Sequence, residues 1–287
     1  MKQLGLWVLL LFIAGVSGAE AQKKEVTEVI KKQIALSNQE ANMLIVKNVF
    51  GDVTVEGYSG DQIILEVEKK IFAKSDKYLE LGKSELTLEV IESANRVVLH
   101  PMAPYMEFDG DKLKFNWCGD QGEPDYQHRM DFNIKVPNAV KLDLCTVNDG
   151  EVTVRNTKGA HINAENINGG ITLDGITGQT RVHCINGEVN ITYADNPKND
   201  SEYFALNGDI NVHYKNSLSA NIAFKSMNGE IYTDFDINKQ YMKTNKSDGK
   251  KNGPKFKYEA KPVVQIGSGQ VDFDFETLNG DVFIKKI

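Results

Sequence analysis

A short phrase recurs along this chain: an apolar residue, Asn, Gly, then in most copies an acid and a second apolar residue. It is spelled Ile167-Asn168-Gly169-Gly170-Ile171, then Ile185-Asn186-Gly187-Glu188-Val189, then Leu206-Asn207-Gly208-Asp209-Ile210. It returns as Met227-Asn228-Gly229-Glu230-Ile231 and as Leu278-Asn279-Gly280-Asp281-Val282. Val147-Asn148-Asp149-Gly150-Glu151-Val152 is a variant with one extra residue. Self-similarity at a period of about 20 residues marks stacked units, because one such unit cannot bury its apolar face alone.

After each Gly the side chains alternate. Val152 and Val154 oppose Glu151, Thr153 and Arg155; Val189, Ile191 and Tyr193 oppose Glu188, Asn190 and Thr192. Period-two alternation describes a half-buried strand. A second alternating stretch precedes each Asn-Gly, as in Ile162 and Ala164 or Val271, Phe273 and Phe275. Gly and Asn suit the tight corners between them. The chain is therefore expected to be all-β, a β-solenoid whose coils pair at about 4.8 Å. The corner residues are Gly51, Gly150, Asn168, Gly169, Asn186, Gly187, Asn207, Gly208, Asn228, Gly229, Asn279 and Gly280. Their Asn side chains should stack into a ladder, and Val182, Tyr203, Phe224 and Phe275 should form an inward column. Asn-Gly is also the favoured two-residue hairpin turn, so a β-sandwich of hairpins is the alternative.

The N-terminal part follows the scheme less cleanly. Leu44 to Val55 is one more copy with Phe50 at the Asn position, and Gln62 to Val67 is a further strand. One short helix is expected from Ser75 to Lys83, capped by Ser75. Two stretches break the pattern: an aromatic and acidic insertion at 100–130, and a lysine-rich loop at 238–262. The expected organisation is a signal peptide (1–21), an N-terminal β region (22–135) that caps the open end, and solenoid repeats (136–287). Lys2, the apolar run from Leu6 to Val16 and Ala19-Glu20-Ala21 carry the signal-peptide reading. No second apolar run approaches the length of a membrane span. The expected location is outside the cytoplasm, in the periplasm or on the cell surface.

The net charge of −7 argues against nucleic acid as a partner. Cys118, Cys145 and Cys184 are too few for a disulfide scaffold; free thiols, or one bridge plus one thiol, fit the count.

The repeat phrases, the entry Leu44 to Gly51, the segment Ile134-Lys135-Val136-Pro137 and the ending from Gly267 to Ile284 resemble the bacterial putative-adhesin β-solenoid proteins of the toast-rack and head-GIN type. The likeness covers residues 40–287. It implies an exported envelope or surface protein, and it carries over no catalytic residue.

Candidate chemistry is sparse. The acids after the corners (Asp52, Glu151, Glu188, Asp209, Glu230, Asp281) could together face Ca²⁺; a solvated edge is the plainer reading. Asp272, Asp274 and Glu276 point one way along a strand at a spacing that glycosidases use, but alternating acids are common on exposed strands. Asp109-Gly110-Asp111 reads as a turn. His161, His183 and His213 share no metal-ligand spacing, and Cys145 and His183 fall about two coils apart. The aromatic insertion offers Tyr105, Trp117 and Tyr126 as ligand-binding residues, since aromatic side chains concentrate binding energy; folding back as a cap is the competing role. The lysine-rich segment could meet an anionic lipid or polysaccharide.

No catalytic or metal residue and no cofactor is expected. The function read from these features is a non-catalytic adhesin or interaction scaffold whose partner is an unidentified protein or glycan. The alternatives are a carbohydrate-active β-helix enzyme and a partner protein in envelope stress.

Overall fold

The computed structural model describes residues 23–36, 38, 40–117, 124–248 and 256–287, with Trp117, 245–248 and 256–259 described by backbone alone. The signal-peptide stretch, Cys118 and the side chain of Trp117 lie outside the described residues.

Strands β1 (Lys24–Ala35), β2 (Met43–Lys47), β3 (Val53–Tyr58) and β4 (Gln62–Ala73) precede a helix, α1 (Asp76–Glu85). Ser75 caps it, its side chain accepting from the Tyr78 N–H, as the sequence implies. Then follow β5 (Thr87–Ser93), β6 (Arg96–Met102), a small hairpin of β7 (Met106–Asp109) and β8 (Lys114–Trp117), and β9 (Tyr126–Pro137).

The repeat comes next as pairs: β10 (Lys141–Thr146) with β11 (Val152–Arg155), β12 (His161–Asn168) with β13 (Ile171–Ile176), β14 (Gln179–Asn186) with β15 (Val189–Tyr193), and β16 (Ser201–Asn207) with β17 (Ile210–Tyr214). The first strand of each pair lies in one sheet and the second in another, and each strand pairs in parallel with its counterpart in the next coil. Each Asn-Gly corner thus carries the chain from sheet to sheet. A hairpin would return it antiparallel within one sheet, so the structure is the solenoid and not the sandwich.

After β17 come β18 (Ala220–Lys225) and β19 (Ile231–Thr233), a hairpin of β20 (Ile237–Asp248) and β21 (Phe256–Ile266), and a last coil of β22 (Val271–Asn279) and β23 (Val282–Lys286). This last coil does not stack on the end. It slots between the β16/β17 and β18/β19 coils, parallel to both. The other end repeats the device: β2 sits between β6 and β10, and β3 between β9 and β11. The first coil in sequence thus lies inside β6 and β9, and the last inside β18 and β19. The inward column runs Val182, Tyr203, Phe275, Phe224 rather than in chain order.

The core lies between the two sheets. Val152, Val154, Ile171, Leu173, Val189 and Ile191 are all at most 1 % exposed, which is what alternation along a two-faced coil requires. Tyr193, Tyr203 and Tyr214 are buried in the middle. The hydroxyls of Tyr193 and Tyr203 are 2.7 Å apart, and Tyr214 donates to Tyr203 at 2.9 Å. Each phenol is thereby satisfied away from water, as burial demands, and burial holds all three well above the usual phenol pKa.

Two expectations need revising. The lysine-rich segment is not a loop: it forms β20 and β21, antiparallel, with β21 paired to β18. Charged residues hide a strand at a sheet edge, where no apolar alternation is needed. The boundary at 135/136 falls inside β9, and residues 22–135 supply strands to both sheets, so one core runs through both regions.

Candidate interaction surface

The corners come first because they aim everything around them. Each corner Asn passes one hydrogen bond to the next coil. Asn168 donates to Asn148 at 2.8 Å, Asn186 to Asn168 at 2.9 Å, and Asn207 to Asn186 at 2.9 Å. Asn279 continues to Asn207 at 2.8 Å, and Asn228 to Asn279 at 2.8 Å. The ladder follows the spatial coil order, not the chain order. The glycines beside it are stacked so closely that a Cβ on Gly208 would overlap the carbonyl oxygen of Gly187, and one on Gly187 that of Gly169.

A second column, two residues before the corner Asn, faces inward and serves the same carbonyls. Asn48 and Thr146 donate to the Gly51 oxygen at 3.1 and 2.7 Å, and Asn166 to that of Gly150 at 2.9 Å. Cys184 reaches the oxygens of Gly169 and Gly187 at 3.4 and 3.3 Å, and Thr277 that of Gly280 at 2.9 Å. Burial pushes the Cys184 thiol up to about 11, so it stays protonated and able to donate. The sequence shows this column only as a small or polar residue where an aliphatic is expected.

The acids after the corners belong to the same scaffold. The Asp52 carboxylate accepts the Glu151 N–H at 2.8 Å, that of Asp209 the Asp281 N–H at 2.8 Å, and that of Asp281 the Glu230 N–H at 2.9 Å. Asp52 is also ion-paired with Arg129 at 2.8 Å.

The first letter of the phrase has no such duty. By strand phase it points out of the sheet. Val147, Ile167, Ile185, Leu206, Leu278 and Met227 therefore line up across six neighbouring strands. Ile167 is 42 % exposed and Met227 76 %, and Val147, Ile185, Leu206 and Leu278 are half-buried. At about 4.8 Å per strand this apolar stripe is about 24 Å long. Phe204, on the same face two residues before Leu206, widens it and meets the His183 ring edge-on at 4.6 Å. The strand alternation alone gives this row its outward phase, so the signal for it lies in the sequence.

The other candidate groups are engaged elsewhere. On the outer face of β22, Asp272 meets Lys243 at 2.7 Å and Asp274 meets Lys261 at 2.8 Å. Glu276 lies 3.0 Å from Lys225 and 3.4 Å from Lys261. The hydrogen bond from Lys243, with a second from Asn221, holds the Asp272 carboxyl below its usual range. Burial opposes the charge on Glu276, but Lys225 and Lys261 still bring it below its usual range. A glycosidase acid needs the opposite shift. A cavity of about 200 Å³ lies among these groups, Asp200, Glu202 and the hairpin. Among the described residues, no group of three or more His, Cys, Asp or Glu side chains could hold a metal ion.

Tyr105 and Tyr126, expected to present their rings to a ligand, are 6 % and 3 % exposed. Tyr126 donates to Glu85 at 3.0 Å, and the Tyr105 hydroxyl lies 2.9 Å from His128 Nδ1. The insertion folds back onto the body: the ring of Phe108 stacks on the buried His100 at 3.9 Å. Asp109 accepts the N–H groups of Asp111 and Lys112 and closes the β7–β8 turn. Trp117 pairs with Met106 through its backbone.

A family model, Toastrack DUF4097, matches residues 16–285. The chain belongs to the Toastrack DUF4097 family. Solved structures similar to this Toastrack chain include a "putative cell adhesion protein" from Clostridium sporogenes, 10 % identical, covering 93 % of this chain and 100 % of that one, TM-score 0.41. A "putative adhesin" from Bacteroides fragilis is 13 % identical over 91 % and 97 %, TM-score 0.33. A "putative lipid binding protein" from Parabacteroides distasonis is 12 % identical over 90 % and 96 %, TM-score 0.33. No curated protein matches the chain significantly. Among the described residues, no helix of this Toastrack chain is long and apolar enough to cross a membrane.

Proposed function

We propose that this Toastrack protein is a non-catalytic, exported scaffold of the cell envelope or surface that holds a partner protein or glycan. The observation that carries the reading is the outward apolar stripe from Val147 to Met227. Soluble monomers rarely keep a contiguous apolar strip in water unless something binds there. Here the repeat places one such residue at the same outward phase in each of six coils. The ion-paired state of Asp272, Asp274 and Glu276 supports a binding role over a hydrolytic one.

The test is a double substitution, Ile185→Glu with Leu206→Glu, at solvent-facing positions that leave the core intact. Photo-crosslinking from a neighbouring outward position, Asn190 on the other sheet serving as control, should capture an envelope component from cells carrying the native protein. The double variant should lose that product while keeping its circular dichroism melt. An unchanged crosslinking pattern would remove the stripe as the binding face. Protease shaving of intact cells, with a periplasmic control, tells the two locations apart: digestion favours the surface, protection the periplasm.

A further inference from the structure

The Asn-Gly corner is also a reactive dipeptide. Glycine has no side chain to shield its backbone nitrogen, which can attack the amide of the preceding Asn. Such pairs occur at Asn168, Asn186, Asn207, Asn228, Asn252 and Asn279; Asn252 lies outside the described residues. The other five Asn side chains are all exposed, so access of water does not separate them. How each is held does.

Asn168, Asn186, Asn207 and Asn279 are tied on both sides. Each donates to one neighbouring coil and accepts from the other. The nitrogens that would attack beside the first three are engaged as well: Gly169, Gly187 and Gly208 donate to the carbonyl oxygens of Asn186, Asn207 and Asn279 at 3.0 Å each. Asn228 closes the ladder. Its amide donates to Asn279 at 2.8 Å, but among the described residues no amide donates to its own oxygen, and the Gly229 N–H makes no hydrogen bond. The cause is its place in the stack. β19 ends its sheet and pairs with β23 alone, and the chain beyond β18 is the folded-over hairpin, so no further corner sits on this one. Met227 beside it is 76 % exposed.

We propose that Asn228 is a site of spontaneous deamidation, which the stacked corners resist. The Gly229 nitrogen gives up its proton and bonds to Asn228 Cγ. The Cγ–Nδ2 bond breaks, and the side-chain nitrogen leaves as ammonia with that proton. Water then adds to one of the two carbonyls of the resulting succinimide, and the ring nitrogen recovers a proton as the C–N bond opens. Opening at Cγ leaves aspartate; opening at the backbone carbonyl leaves isoaspartate, with the chain routed through the side chain. Either product sets a carboxylate where an N–H donated to the Asn279 oxygen, and adds a negative charge beside Met227 at the end of the apolar stripe. The terminal coil then loses its ladder bond.

The experiment is incubation of the full mature chain at mildly alkaline pH, with peptide mapping by mass spectrometry and isoaspartate detection at each Asn-Gly pair. Asn228 should convert first. Asn168, Asn186 and Asn207 should react at least about tenfold more slowly, because their corners must open locally before attack. In urea, where no ladder holds, all the pairs should react at similar rates. Asn228→Gln keeps the amide but would have to close a larger ring, and should abolish the product at this position. Asn228→Asp should quicken hydrogen exchange along β19 and leave β14 unchanged. Conversion of Asn186 or Asn207 as fast as Asn228 in the folded chain, or an Asn228 that stays intact while the urea-unfolded chain converts, would overturn the proposal. Exchange along β19 of Asn228→Asp equal to that of the native chain would overturn the loosening of the terminal coil.

Discussion

The Lys243 ammonium lies 2.7 Å from the Asp272 carboxylate, although β20 stands three places from β22 in its sheet. Three strand spacings in a flat sheet are about 14 Å, more than a lysine side chain spans. The hairpin is therefore folded over the outer face of the sheet, with Lys261 reaching Asp274 and Glu276 from its second strand. Ala223 and Val263 share that outer face and are nonetheless only 9 % and 2 % exposed, as the fold-over requires.

Lys243→Ala should loosen the hairpin without unfolding the body. Both partners are nearly half exposed, so the global loss is under about 1 kcal/mol. Hydrogen exchange should quicken along β20 and β21 and stay unchanged along β12 to β16.

Gly208→Ala should cost about 2–4 kcal/mol, because the new methyl meets the carbonyl of Gly187 and the backbone sits at a φ of +147°. Gly110→Ala, with open space around its Cβ position, should change the urea midpoint little. Equilibrium urea unfolding of both variants checks the contrast.

Asn186→Ala removes a donor to Asn168 and an acceptor for Asn207. The expected loss is about 1–2 kcal/mol, in the range of one or two hydrogen bonds at a partly exposed site. Asn186→Asp keeps the shape but sets a second acceptor against the Asn168 oxygen, so it should destabilise at neutral pH as well. Denaturant midpoints of the two variants measure both effects.

Burial lowers the His128 pKa to about 4, against about 6.5 in an unfolded chain. Between these values the unfolded state holds a proton that the folded state lacks. Stability is therefore complete above about pH 6.5 and falls as pH drops toward 4, by an amount on the order of 3 kcal/mol. His100 shifts the same way, so the comparison is with His128→Gln, which keeps a partner for Tyr105. Its stability should fall less steeply across the same window, as read from urea midpoints at each pH.

The corners, the strand phase and α1 with its Ser75 cap were legible because each is decided within a few residues. Gly187 and Gly208 are needed where one coil's carbonyl meets the next, and Asn186 where a side chain must both donate and accept. Tyr105 and Tyr126 were harder to place. Aromatic residues in a Pro- and Gly-rich stretch read as surface, and only contact with α1, β4 and His128 shows them inside. The hairpin at 237–266 was illegible for the opposite reason, since a strand paired at an edge and pinned by lysines has no apolar period to read.

The sequence by itself determined that each unit is a two-strand coil with an Asn-Gly corner, because strand alternation and corner geometry are local. It could not determine the order in which the coils stack. The phrases at Asn207, Asn228 and Asn279 are interchangeable as ladder partners, and each coil presents the same parallel edges to any neighbour. Tertiary structure decided that Asn279 stands between Asn207 and Asn228. That arrangement leaves the β18/β19 coil outermost, where the β20–β21 hairpin extends its sheet. It encloses the final coil on both sides, so Phe273 and Phe275 are packed between neighbours rather than exposed at an open end.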